Sequence, residues 1–209
     1  MLRLLLLIVA MLPLMGEVID RVAIAVGTQV ITVSEIIRQL KITALLNGEQ
    51  PDLSPASRRE AGDRLVDQQL IRREMEVSGY MPDDGDDGAQ LYAAFRKRFE
   101  DEAAWRKELA KYQLTDADVR EAFQWQATFL AFVEVRFRPA VTVPEDEMRD
   151  WYNEQKREKN PAIANLSFEQ ARPQIEQIMT QQRIDNALDR WLGQVRTSTR
   201  VEYRPEALR

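Results

Sequence analysis

The stretch that decides the fold runs from Glu17 to Leu46 and consists of EVIDRVAIAVGTQVITVSEIIRQLKITALL. Apolar residues alternate from Val22 to Val26, which is the period of a half-buried strand. Gly27-Thr28 suits a two-residue hairpin turn of type II′, because glycine tolerates the positive φ of the first central position. Val30 to Thr32 then supplies the returning strand. The stretch therefore predicts a β-hairpin close to the start of the chain.

A helix is predicted directly behind this hairpin. Thr32-Val33-Ser34-Glu35 has the pattern of a capping box, so the helix should begin near Ser34. Asn47-Gly48 is a typical C-terminal stop. Further capping signals predict helices that start after Ser54, Asp101, Thr115 and Ser167, each followed by apolar residues at helical spacing. The chain is therefore predicted to be mainly α-helical with a small β element.

A short alternating fragment, Val201 to Tyr203, lies near the C-terminus and suits one brief strand. A two-stranded hairpin alone is marginally stable in water. We therefore predict that the C-terminal strand pairs with the N-terminal hairpin, next to Ile24, and completes a small sheet. This pairing would bring the two ends of the folded chain together.

The first sixteen residues are typical of a secretory signal peptide. Arg3 is followed by an apolar run from Leu4 to Leu12 and by a small residue at Gly16, after which cleavage is expected. The run is too short for a membrane span, which needs roughly 20 residues. The alternative is an N-terminal anchor that stays attached. Cleavage predicts an exported protein of the periplasm, without stable membrane insertion.

The composition of the 209 residues excludes several classes of function. The net charge of −5 argues against nucleic acid as a partner. The chain has no cysteine, so packing without disulfides must hold the fold. It also has no histidine, which excludes histidine-based general bases, Ser-His and Cys-His dyads and imidazole metal ligands.

A series of segments along the chain carries a resemblance to a known family. These segments are Asp20 to Gly27, Val30 to Thr32, Ser34-Glu35, Arg64 to Ile71, Pro82 and Leu91, Trp105 to Leu109, Val119-Arg120, Ser167 to Ile175, Leu188 to Leu192 and Val201 to Tyr203. In their order and spacing, and together with the predicted signal peptide, they resemble the SurA family of periplasmic chaperones over most of the mature chain.

One departure from the family is informative. Members usually carry one or two parvulin-type peptidyl-prolyl isomerase domains between the two parts of the chaperone core. Here residues 141–166 have room for one helix and a loop, whereas a domain needs about 50 residues or more. The resemblance thus implies a chaperone region at 17–140, a short link at 141–166, and a helix and strand at 167–209 that complete the core. It implies no isomerase domain.

No catalytic residue is predicted, and the candidate binding residues are aromatic. A chaperone needs exposed apolar area rather than a fixed constellation of groups. Most aromatic side chains in such a chain simply fill the core. The helix after Thr115 is nevertheless apolar on more than one side, with Val119, Phe123, Ala127 and Leu130 on its predicted core face. The predicted client-binding residues are Trp105, Tyr112, Trp125, Phe129, Phe132 and Trp151.

The sequence predicts neither a nucleotide nor a metal ion as a cofactor. The chain has no nucleotide-binding motif. Asp83-Asp84-Gly85-Asp86-Asp87-Gly88 is rich in carboxylates but lacks the ligand spacing and the distal glutamate of an EF-hand loop. Four carboxylates ahead of a helix also suit the helix dipole. No metal site is therefore predicted.

The function that the resemblance implies is that of an ATP-independent holdase. Such a protein would bind unfolded secreted proteins, above all precursors of outer-membrane proteins, in an apolar crevice. Two alternatives stay open at this point. One is a peptidyl-prolyl isomerase, which the missing domain and missing histidines disfavour. The other is an assembly subunit dedicated to one partner, which co-purification would distinguish from a general chaperone.

Overall fold

The computed structural model describes residues 20–80, 86–158 and 160–209. Within these residues the protein has seven α-helices and a three-stranded antiparallel sheet, which confirms the predicted fold class. In chain order the elements are β1 (Val22–Val26), β2 (Gln29–Thr32), α1 (Val33–Asn47), α2 (Pro55–Ser78), α3 (Asp87–Arg96), α4 (Glu102–Tyr112), α5 (Asp116–Phe137), α6 (Glu145–Arg157), α7 (Phe168–Ser198) and β3 (Val201–Tyr203). The predicted signal peptide lies outside the described residues.

The sheet has β1 at its centre, between β2 and β3. Val26 pairs with Gln29 on one side and with Val201 on the other, and both pairings are antiparallel. Gly27 has a φ of 59°, as its position in the turn requires. The backbone N–H of Gly27 also donates to the carbonyl of Arg200 at 2.9 Å. The predicted pairing of the C-terminal strand with the hairpin is confirmed.

The predicted capping signals determine where the helices begin. Thr32, Thr115 and Ser167 each cap a helix with a complete, reciprocal capping box. The helix α5 ends at Phe137, and a short 3₁₀ turn that contains Pro139 follows it. Pro173 lies inside α7 without delaying its start. These local signals predicted the helix starts to within one residue because each satisfies backbone N–H groups that the helix itself leaves unpaired.

The core consists of four clusters of buried side chains. The first lies between the sheet, α1 and α2, and includes Ala207 and Leu208 from the C-terminus. The second joins the end of α1 to α3, α4 and the start of α5. The third joins α2, the end of α5 and the second half of α7. The fourth lies between α6, the start of α7 and the loop around Ile163.

Polar contacts hold the C-terminal strand against α2. Arg196, near the end of α7, donates to the carboxylate of Asp67 at 2.6 Å and to the backbone carbonyl of Asp63 at 2.9 Å. The hydroxyl of Tyr203 donates to the carboxylate of Asp63. The guanidinium of Arg59 lies 4.0 Å from the centre of the Tyr203 ring. These contacts attach the closing strand to the longest helix of the N-terminal half.

This arrangement predicts a loss of stability at alkaline pH. Burial, with the hydrogen bond to Asp63, raises the pKa of Tyr203 from 10.0 to about 12. Because the neutral phenol is favoured in the folded state, its contribution is complete below about pH 10 and disappears towards about pH 12. We expect the urea midpoint of the wild type to fall more steeply over this interval than that of Tyr203→Phe. If the urea midpoints of the two proteins fell equally steeply with pH, the raised pKa of Tyr203 would be contradicted.

Candidate client-binding groove

A groove runs between α2 and α5 and consists of two adjoining cavities. The larger has a volume of about 630 Å³ and the smaller of about 450 Å³. Arg72 from α2, with Glu121 and Trp125 from α5, lines both of them. We call the two cavities together the α2–α5 groove. The volume of each cavity is within the range of about 300–1,000 Å³ that is common for ligand sites in proteins.

The two cavities differ in their further walls. The larger one is closed by α3 and is lined by Met75, Tyr80, Tyr92 and Thr128 among others. The smaller one is closed by α1 and is lined by Ile42, Leu46, Leu65 and Gln69 among others. The groove thus offers aromatic, aliphatic and polar side chains along one path, which is the surface that an adaptable binding site requires.

Arg72 and Trp125 meet where the two cavities join. The guanidinium carbon of Arg72 lies 4.2 Å from the centre of the Trp125 ring, which is a cation–π contact. Burial lowers the pKa of Arg72, while the charges of Glu121 and Glu76 act in the opposite direction. Among the described residues no carboxylate forms an ion pair with Arg72 within 4.0 Å. The groove therefore contains a half-buried cation without a direct counter-ion from the described chain.

Asp116 organises the wall on the α3 side. Its carboxylate accepts hydrogen bonds from the Tyr92 hydroxyl, from Trp105 Nε1 at 2.8 Å and from Arg120 Nε at 2.5 Å. Arg120 also lies over the Tyr92 ring, 4.0 Å from its centre. Burial acts to raise the pKa of Asp116, but the three hydrogen bonds outweigh it and lower the pKa below 3.8. This network fixes Tyr92 in the groove wall.

The predicted client-binding residues are not all brought together. Trp125 lines the groove, and the Phe129 ring lies 6.2 Å from it in a stacked arrangement. Trp151 lies on α6, in the separate cluster around Met148. Trp105, Tyr112 and Phe132 have only 1%, 2% and 1% of their surface exposed, so they are core residues. Side chains with so little exposed surface have almost no area for a client in this conformation, whereas Trp125 is half-buried and lines the groove.

The predicted core face of α5 is also corrected. Leu130, expected inside, is 52% exposed, whereas Phe132, expected off the core face, is buried. The reason is that α5 changes neighbours along its length. Its first half packs in the cluster with α3 and α4, and its second half packs with α2 and α7. A helix that contacts different neighbours at its two ends has no single buried stripe over its whole length.

Sequence reasoning did not find Arg72. It is one of several arginines in α2, and charged residues on a helix usually face solvent. Arg72 belongs to the groove because it lies against Trp125 of another helix. No local sequence pattern predicts the distance between these two side chains. Met75, by contrast, was expected on the buried face of α2 because of its spacing, and it is 6% exposed.

The described residues contain neither a candidate metal site nor a candidate membrane span. There, no group of three or more metal-binding side chains comes together. Residues 81–85, which hold part of the aspartate-rich segment, lie outside the described residues. No described helix has both the length and the apolar character that crossing a membrane requires.

The comparisons with known proteins add no assignment to this geometry. No protein-family model matches the chain, and no curated protein matches it significantly.

Proposed function

We propose that this protein is an ATP-independent holdase chaperone that binds unfolded polypeptide segments in the α2–α5 groove. The observation that carries the proposal is the groove itself, where the half-buried aromatic side chains of Trp125 and Tyr80 line one cavity. A single catalytic constellation is not needed for this activity. What is needed is apolar area and side chains that adapt to different sequences.

The proposed mechanism is reversible sequestration by mass action. A holdase that binds the unfolded state lowers the concentration of free unfolded chains, and the effect grows with the ratio of chaperone concentration to the dissociation constant. The mixed character of the groove suits this purpose. Apolar contacts give affinity with little sequence preference, while Gln69 and Gln124 can pair with the backbone of a client.

The proposed clients are secreted proteins, above all precursors of outer-membrane proteins, and the proposed location is the periplasm. Both parts of the proposal rest on the resemblance to the SurA family and on the signal-peptide pattern of residues 1–16. An export test is direct. Mature protein that is recovered from the periplasmic fraction should begin at Glu17, and protein retained in the cytoplasm would contradict the location.

The activity is tested by the aggregation of an unfolded outer-membrane barrel protein after dilution from urea. The purified protein, added in stoichiometric amounts without nucleotide, should slow the rise in light scattering. The same assay with added ATP should give the same curve. Scattering that is unchanged at a tenfold excess of the protein would contradict holdase activity.

The groove is tested by a pair of matched substitutions. Trp125→Ala should weaken client binding about tenfold, because it removes the aromatic surface shared by both cavities and buried aromatic anchors dominate such interfaces. Trp191→Ala is the control, since Trp191 is also a half-buried tryptophan but lies on α7 and lines neither cavity of the groove. Binding is measured by the fluorescence anisotropy of a labelled unfolded client, with circular dichroism to verify folding. Equal losses in both variants would contradict a site confined to the groove.

A further inference from the structure

The cations that line the α2–α5 groove differ in how they are neutralised. Arg120 is bonded to Asp116 at 2.5 Å, and Arg38 is paired with Asp118 at 3.5 Å. Arg72 is the remaining arginine in the two cavities, and within the described residues it has no such pair. It is held instead by the face of Trp125. Two of the three groove arginines therefore form ion pairs, and Arg72, where the two cavities join, forms none with the described residues.

The burial of Arg72 favours the binding of a carboxylate. Arg72 is half-buried, and burial of a charge without a paired counter-charge is costly. Glu76 and Glu121 also have no ion-pair partner within 4.0 Å in the described chain, but both are exposed, so water solvates them. A guanidinium has five N–H donors and no acceptor, and contact with one aromatic ring does not satisfy these donors. A carboxylate that enters the groove would satisfy at least two of them.

The length of the groove limits what can bring in this carboxylate. From Leu65 in α2 to Tyr80, two residues beyond the end of this helix, the groove extends over about 22 Å at the rise of a helix. An extended peptide covers this distance with about seven residues. Since Arg72 lies near the middle, a side chain at the centre of such a segment would reach it. The exposed Glu76 and Glu121 repel every carboxylate in the groove, so only a carboxylate in direct contact with Arg72 would be favoured there.

We propose that the α2–α5 groove prefers extended polypeptide segments in which one acidic side chain is flanked by apolar residues, and that Arg72 binds this carboxylate. The inference rests on the proposed holdase function and specifies the clients of the same groove. The aromatic contact with Trp125 orients the guanidinium before a client binds. The Arg72 side chain therefore loses less conformational entropy on binding.

The test uses two fluorescein-labelled peptides of eight residues that are apolar except for one central position. This position is glutamate in the first peptide and glutamine in the second. Glutamine has the same shape and can accept hydrogen bonds, so the comparison isolates the charge. We expect the wild-type protein to bind the glutamate peptide about fivefold to tenfold more tightly, as suits a charge-assisted hydrogen bond in a partly exposed site.

A variant pair then assigns the preference to Arg72. Arg72→Met keeps an unbranched apolar stem against Trp125 and should bind both peptides with the affinity that the wild type has for the glutamine peptide. Arg136→Met is the matched control, because Arg136 also lies over an aromatic ring, that of Phe137, but does not line the groove. It should retain the full preference for glutamate.

The possible contrary results are distinguishable. Equal affinities of the wild type for both peptides would overturn the carboxylate preference and leave the holdase proposal intact. If Arg72→Met lost affinity for both peptides to the same extent, Arg72 would support the groove without selecting a charge. This result would also overturn the preference for glutamate. If the wild type bound neither peptide, the groove itself would be refuted as the client site.

Discussion

Replacing Asp116 with alanine is expected to lower the free energy of unfolding by about 3 kcal/mol, since two buried donors lose their acceptor. The Trp105 side chain is 1% exposed and Tyr92 is 6% exposed, and both donate to this carboxylate. The Trp105 ring lies inside the cluster between α3, α4 and α5, so its Nε1 would be left without a partner there. The loss should be visible as a shift of the urea midpoint without a change in slope.

The matched control is Asp146→Ala. Asp146 also lies in the first turn of a helix, where its charge favours the helix dipole, but it has no comparable set of buried donors. Its removal should cost only about 0.5 kcal/mol. Asp116→Asn, which keeps one acceptor oxygen, should fall between the two. A loss below 1 kcal/mol in Asp116→Ala, taken as roughly one ordinary hydrogen bond, would contradict the central role of this carboxylate.

Asp116 should also contribute to the acid sensitivity of the protein. Its pKa in the folded state lies below 3.8, because three hydrogen bonds favour the ionised form despite burial. The contribution is therefore present above about pH 4 and is lost as the pH falls further and the carboxyl group is protonated. The stability of Asp116→Asn should depend less on pH in this interval than the stability of the wild type does.

The second large effect is expected at Gly88, where α3 approaches α5 closely. A methyl group on Gly88 would lie 2.7 Å from the Cα atom of Gln124, which is backbone and cannot move aside. We expect Gly88→Ala to destabilise the protein by about 2 kcal/mol through this overlap. The overlap would also push α3 away from α5 and open the wall of the α2–α5 groove.

Gly193 is the control because the same substitution there should have the opposite sign. It lies inside α7, and apart from the adjacent backbone of α7 no described atom lies within 4 Å of the position that a methyl group would take. Glycine in a helix is less favourable than alanine by about 1 kcal/mol, so Gly193→Ala should raise the free energy of unfolding by about this amount. Urea denaturation of both variants measures the difference. Changes of the same sign would contradict the close approach of α3 and α5.

The fold was predictable where a local rule specifies it. The capping boxes at Thr32, Thr115 and Ser167 are short patterns with one physical meaning, and each begins a helix. The hairpin followed from an alternation of apolar residues around Gly27. The third strand was predictable for a different reason. A hairpin needs a further partner in water, and Val201 to Tyr203 was a suitable alternating segment.

The site was less predictable because it depends on distances between helices. Trp125 was identified from the apolar surplus of α5, but the same argument also selected Phe132, which is buried. The difference between them is set by α7, which covers Phe132 through Trp191 and does not line the groove beside Trp125. No sequence pattern indicated that Arg72 belongs to the site. Which neighbour a helix face meets is a property of the tertiary arrangement, and a single sequence does not record it.

The central position of β1 has a consequence for the order in which the protein is made. One of its two neighbours, β2, is synthesised immediately afterwards, whereas the other, β3, follows 175 residues after the end of β1. Until β3 has been made, one side of β1 has unpaired backbone groups that can pair with a foreign strand. Closing so long a loop is also slow. A chain that stops before Val201 would therefore keep one edge of β1 unpaired, and we expect it to aggregate more readily than the full chain.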